Sequence, residues 1–153
     1  MDRVILDTDV SSLSLKRRLP SPALTRLIGK QPCITFVTLG ELTQWAELRR
    51  WGRRNRDALD TWLDGVIILS YSEDVARTWG RISAAAIQRG PPRPANDTWI
   101  AACALTYGLP LATLNAKDFK DFKDFKDFKD FKDFKDFKDF AKHDGLNLII
   151  QTR

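Results

Sequence analysis

The chain has 153 residues, with 25 Lys and Arg against 20 Asp and Glu, for a formal net charge of +5. That length suits one compact domain with its own core, and no stretch approaches the roughly 18 continuous apolar residues of a membrane span. Two cysteines, Cys33 and Cys103, and one histidine, His143, are too few for a disulfide framework or a zinc site, and they all but exclude Ser-His-Asp chemistry.

In chain order, Arg3-Val4-Ile5-Leu6 is a short apolar run that predicts a buried strand. Because acids flank this run, the N-terminus reads as a strand and not as a signal peptide, so a cytoplasmic protein is expected. Asp9 and Ser11 follow as helix-start residues. Ser21-Pro22 reads as an N-cap with proline in the first turn, Leu24, Leu27 and Ile28 as that helix's apolar face, and Gly29 as its stop. Cys33 to Phe36 predicts the second strand, Thr38 to about Arg50 a helix, and Asn55 to Leu63 a further short helix. Val66-Ile67-Ile68-Leu69 is continuous and β-branched, as a parallel strand buried on both faces would be. Ser72 to Gln88 is a long helix with Val75, Trp79, Ile82 and Ala86 on one face. After the loop from Gly90 to Pro94, Asn96 to Tyr107 is helical, with Ile100, Cys103, Ala104 and Tyr107 at helical spacing and Gly108 as the stop. Leu111 to Leu114 and Asn147 to Ile150 are the last two strands. Strands alternating with helices predict an α/β sandwich with a mostly parallel sheet of about five strands. Both cysteines, in apolar contexts, read as small buried hydrophobes.

Sites in such folds lie beyond the carboxyl ends of the strands. Asp7 follows strand one, Glu41 lies just past strand two, Asp97 opens the helix in PANDTWIAA, and Asp118 follows strand four. Each has a plainer reading. Thr38 and Glu41 fit a capping box, Asn96-Asp97 an N-cap with a first-turn acid, and Asp7 or Asp9 a cap of the first helix. Helical spacing nevertheless turns Asp97 with Ile100, Ala101 and Ala104, and Glu41 with Trp45 and Leu48, towards the sheet edge. Carboxylates gathered there without histidine or cysteine select a hard cation, Mg²⁺ or Mn²⁺, which can polarise a phosphoryl oxygen and acidify a water. The positive excess is Lys16, Arg17 and Arg18, then Arg49, Arg50, Arg53, Arg54 and Arg56, with Trp45 and Trp51 beside the second cluster. A basic surface suits polyanions, nucleic acid first, with a solvated face as the plainer alternative. Acids and arginines together suggest metal-dependent phosphodiester hydrolysis.

The motifs VILDTDVSSL, ITFVTLGELTQWAE, PANDTWIAACAL and LPLATLNAKDF, in that order, resemble those of the PIN-domain ribonucleases, most closely the VapC toxins of bacterial VapBC toxin–antitoxin pairs. The resemblance covers nearly the whole chain outside residues 117–140. It implies a single PIN domain over residues 1–153, with a three-layer α/β/α fold and Mg²⁺-dependent endoribonuclease activity on structured RNA such as tRNA. Asp7, Glu41 and Asp97 match the three metal-holding acids of the family, Asp118 the fourth and more variable one, and Asn115 a polar position near the site. Asp9 and Thr8 are secondary, Thr38 is a local support, and Arg49, Arg50, Arg53 and Arg54 would grip RNA. The resemblance also implies a homodimer and a VapB-type antitoxin partner.

Residues 117–140 repeat the triplet Lys-Asp-Phe eight times, and six triplets, 18 residues, look inserted relative to the family. In an α-helix the Phe would spiral round the surface; in a strand they would alternate faces; a long 3₁₀ run is uncommon. The repeat reads as an interruption, a protruding helix or a sticky loop, with a Phe-bearing assembly element as the alternative. Two rival functions remain: a binding-only remnant inactivated by the repeat, and a haloacid-dehalogenase-type phosphatase using Asp7 and Asp9, for which no distal GDxxxD-like segment exists. No GxGxxG follows any strand, which argues against a dinucleotide binder.

Overall fold

The computed structural model describes residues 2–91, 93–114 and 142–150. The order is β1 (Arg3–Leu6), α1 (Thr8–Leu15), α2 (Ser21–Leu27), β2 (Gln31–Thr35), α3 (Phe36–Leu48), α4 (Arg53–Asp64), β3 (Ile67–Leu69), α5 (Glu73–Arg89), α6 (Ala95–Tyr107), β4 (Leu111–Thr113) and β5 (Leu148–Ile150). The five strands pair in the order β3-β2-β1-β4-β5, and every pair is parallel. All carboxyl ends therefore lie on one edge, with β1 at the centre.

Strand alternation splits the core in two. Val4 and Leu6 face one side with Ile34 and Ala112, where Val10 and Leu13 of α1 and Ala23 of α2 pack. Ile5, Cys33 and Leu111 face the other side, against Val75, Ile82 and Ala86 of α5 and Ile100 to Ala104 of α6. The result is the expected three-layer α/β/α sandwich.

Several sequence expectations shift. Helix α1 starts at Thr8 with Asp7 as its N-cap, ahead of Asp9 and Ser11. Ser21 does not cap α2; Pro20 stands at that position and makes no side-chain cap bond. Of the expected apolar face of α2 only Leu27 packs on the core, beside Ala23, while Leu24 is 49% exposed and Ile28, which lies past the helix end, 77%. Phe36 belongs to α3 and not to β2. Strand β3 is an edge strand, so Ile68 is 40% exposed and the run is not buried on both faces. Tyr107 likewise leaves the face it was expected to share, and its hydroxyl donates to the Ser70 carbonyl at 3.1 Å. Gly29 and Gly108 end α2 and α6 in the left-handed region, at φ 78 and 65, as stop residues should. The triplet repeat lies outside the described residues.

Both cysteines are fully buried, and burial pushes the Cys103 thiol up to about 12 and the Cys33 thiol up as well. At pH 8, Cys103 then carries about a thousandfold less thiolate than an ordinary cysteine of pKa 9.0. Neither thiol should react with a disulfide reagent in the native protein, and both should react on unfolding. Because the Cys103 pKa is raised on folding, its contribution to stability is complete below pH 9.0 and is lost as pH rises towards 12. Rapid native labelling of Cys103 would contradict this packing.

Candidate active site

The site begins where β1 stops. The Asp7 N–H donates to the Ala112 carbonyl at 3.1 Å, which holds the residue to β4, and Asp7 Oδ1 accepts the Val10 N–H at 2.8 Å. One carboxylate oxygen thus caps α1 and fixes the side chain, which is 4% exposed. The acid is buried at the carboxyl edge of the central strand.

Helix α3 rises from the neighbouring strand almost without a connection, because Thr35 ends β2 and also caps α3, its Oγ1 accepting the Thr38 N–H at 3.3 Å. Glu41 therefore stands a turn beyond the capping positions, and the capping box that was its plainer reading does not form. Glu41 meets α1 instead. The Thr8 hydroxyl donates to Glu41 Oε1 at 2.8 Å and lies 3.0 Å from the Thr38 hydroxyl. A hydroxyl has one proton, so with Thr8 donating to Glu41, the Thr38 hydroxyl must donate to Thr8. The relay Thr38 to Thr8 to Glu41 has one direction. It ties the first turns of α1 and α3 together and orients the carboxylate.

Asp97 sits in the first turn of α6, 8% exposed, on the face it shares with Ile100, Ala101 and Ala104, as the spacing predicts. Pro94 and not Asn96 is the N-cap. Trp99 lies edge-on to Phe36, the first residue of α3, at 5.9 Å between ring centres, and stacks on Trp79 at 4.9 Å. These contacts carry the opening turn of α6 to the same carboxyl edge. Glu41 is half-buried, while Leu48, expected on its face, is 72% exposed because α3 outruns the core. Asp9 is half-buried in the first turn of α1. Asn115 and Asp118 lie outside the described residues.

The edge is also rich in buried hydroxyls: Thr8, Ser11, Thr35, Thr38, Thr98 and Thr113. Thr35 was missed in the sequence because an unbroken β-rich run carries it into Phe36. An all-oxygen donor set of this kind suits a hard cation and excludes the preferences of soft metals. Among the described residues, however, no three His, Cys, Asp or Glu side chains converge closely enough to hold a metal ion. The expected ligands share an edge but do not form a closed cage.

The arginines are elsewhere. Arg49 and Arg50 lie in the α3–α4 turn and Arg53 and Arg54 open α4, and Arg49 is eight residues beyond Glu41, about 12 Å along a helix. Arg49 lies over the Trp45 ring at 5.1 Å, and Arg53 is exposed in a loose 3.9 Å pair with Asp57. Arg56 is structural: it donates to the carbonyls of Trp51 and Ala46 and pairs with Glu47 at 2.9 Å.

Fold and edge together define a parallel α/β/α protein with a carboxylate–hydroxyl site at the end of its central strands. A family profile described as PIN domain matches residues 4–124. The chain is 33% identical over 122 residues to ribonuclease VapC2 of Haemophilus influenzae, covering 78% of this chain and 91% of that protein. It is 30% identical over 123 residues to the tRNA(fMet)-specific endonuclease VapC of Shigella flexneri, with the same coverage of 78% and 91%. The DNA-bound VapBC structure from Salmonella typhimurium superposes with a TM-score of 0.71 at 22% identity, covering 99% of this chain and all of that one, 100%. The chain belongs to the PIN-domain family and groups there with the VapC ribonucleases. That membership leaves the phosphatase reading unsupported; Asp9, moreover, is carried inside a helix and not on a loop after β1.

Thr8→Val should remove the relay without emptying the core. RNA cleavage is expected to fall about 10- to 100-fold, the usual cost of losing a residue that orients a ligand, while Thr8→Ser retains most of it. Equal rates for the wild-type and valine proteins would show that Glu41 needs no such support.

Proposed function

We propose that the protein is the toxin of a type II toxin–antitoxin pair, a divalent-metal-dependent endoribonuclease acting in the cytoplasm as a single PIN domain over residues 1–153. The observation that carries this reading is the placement of Asp7, the Thr8–Glu41 pair and the Asp97 turn on one sheet edge, in a chain grouped with proteins named ribonuclease VapC. The VapBC complexes among similar folds support an antitoxin partner for this chain, and the relatives' names support RNA as substrate. No helix among the described residues is long and apolar enough to cross a membrane. A homodimer follows from the family resemblance.

In this reading Asp7, Glu41 and Asp97 would hold Mg²⁺, with Mn²⁺ as substitute; Asp118 and Asn115 match the family's fourth acid and nearby polar residue by sequence. The bound cation supplies charge neutralisation at the phosphate and a more acidic water. The chain's own contribution is orientation. Asp7 is fixed by its cap, Glu41 by the hydroxyl relay, and the turn that carries Asp97 by the packing of α6, which limits the freedom each carboxylate would lose on closing round a cation. Asp9 adds negative charge beside these three, and structured RNA such as tRNA is the substrate class.

Asp7→Asn is the most informative variant, because Asn caps a helix as well as Asp does. It should fold normally yet lose at least about 100-fold in cleavage of total tRNA, as should Asp97→Asn, and EDTA should abolish wild-type cutting until Mg²⁺ is restored. Undiminished cutting by Asp97→Asn or in EDTA would sink the proposal. A version lacking six triplets belongs in the same assay: cutting by it alone would make the repeat an inactivating interruption and favour the binding-only reading.

A further inference from the structure

Behind the acidic edge, at the opposite ends of α1 and α3, lies a cavity of about 270 Å³ lined by Leu15, Lys16, Arg49, Trp51, Asn55 and Ala58. Two of the six are cations, one is an indole and one is an amide; none is an acid. Leu15 and Ala58 fill the remaining wall. This is the composition of a site for a phosphate with an aromatic base beside it.

The walls are rigid. The Trp51 N–H donates to the Ala46 carbonyl at 3.0 Å, and its own carbonyl accepts from Arg56 Nε at 2.8 Å, so the backbone carrying the indole is held on both sides. Trp62 Nε1 donates to Ser14 Oγ at 3.1 Å and pins α4 to α1. Among the described residues the two non-glycine positions at positive φ are Arg17, at 56, and Arg50, at 50. Arg17 follows Lys16, and Arg50 stands between Arg49 and Trp51. Both follow a helix end: the Arg18 N–H donates to the Leu13 carbonyl at 2.8 Å, as the Trp51 N–H does to Ala46, which puts Arg17 and Arg50 at the left-handed position that closes α1 and α3. Here both instances turn the chain at the cavity's rim. The N-terminus of α4, capped by Gly52 without a side-chain bond, adds its positive dipole end near Asn55.

We infer that this cavity is a nucleotide subsite, in which Lys16 and Arg49 take an RNA phosphate and Trp51 takes a base, about 12 Å from Glu41 along α3. The inference rests on the ribonuclease reading and deepens it. An offset of about 12 Å along α3 is more than one nucleotide step, so the bound nucleotide is not one of the two that flank the bond cut. Long RNA would therefore gain from the subsite, and a dinucleotide would not.

The test uses the full-length protein with Lys16→Ala, Arg49→Ala and Trp51→Ala, each checked for native circular dichroism, and Arg77→Ala on α5 as a basic control. Each cavity variant is expected to raise KM for an RNA of about eight nucleotides roughly tenfold at unchanged kcat. The two charge variants should also lower the salt slope of binding by about 1. Dinucleotide cleavage and the Arg77 control should not change. Binding of a non-cleavable eight-nucleotide analogue should quench tryptophan fluorescence in the wild type and less so in Trp51→Phe. Normal cleavage with unchanged KM in all three variants overturns the subsite and leaves the cavity to a protein partner. No cleavage by the wild type, but Trp51-dependent quenching, overturns the nuclease reading and retains the subsite. Neither cleavage nor quenching overturns both.

Discussion

The passage from β1 into α1 constrains everything near it. Asp7 ends the central strand and caps the following helix, so a single side chain satisfies an orphan helix N–H while its backbone N–H closes on β4. Loss of a cap typically costs about 1 kcal/mol, too little to require a buried, charged carboxylate at this spot when Ser or Asn would cap as well. Capping alone therefore does not single out aspartate over Ser or Asn at position 7; the metal-holding role proposed above for Asp7, Glu41 and Asp97 would.

The second acid depends on the first element for its orientation. Glu41 is a full turn into α3 and would otherwise be a long side chain with free rotamers, costing entropy to immobilise. The Thr8 hydroxyl fixes it from α1, and Thr38 supplies the proton that keeps the relay pointing one way. Sheet order makes this possible. Because β1 and β2 are adjacent and parallel, the helices that follow them start side by side, and a 2.8 Å bond can bridge residues 33 apart in the chain.

Much of this was legible in the sequence, and the failures have physical causes. The bounds of β1 came directly from a short apolar run between charged residues, and Val75, Ile82 and Ala86 marked the buried face of α5 as expected. β2 was placed two residues late, since Pro32 cannot donate to a ladder and Gln31 carries no apolar signal. Its end was misplaced for the opposite reason: Phe36 continues a β-rich run locally but is drawn into α3 by the Thr35 cap. Periodicity showed the apolar stripe of α2 but not what that stripe would meet, and Leu24 and Ile28 stayed in solvent. Spacing correctly turned Asp97 inward. It carried no hint of the Thr8–Glu41 bond, which depends on strand order, nor of the cavity between the far ends of α1 and α3.

The triplet repeat bears on fold and site differently. Strand β5 still pairs in register with β4, Leu111 opposite Leu148, across the segment that contains the repeat. Lengthening that connection from roughly 15 to roughly 33 residues costs only about 0.7 kcal/mol in loop-closure entropy, even if all of it counts as free chain. The sheet can bear that. The identical triplets also protect the site's spacing. The first of them supplies Asp118 five residues after Thr113, whatever the number that follow, so expansion adds chain only beyond the acid. Expansion thus lengthens the chain beyond position 118 and leaves the sequence spacing of Asp7, Glu41, Asp97 and Asp118 unchanged.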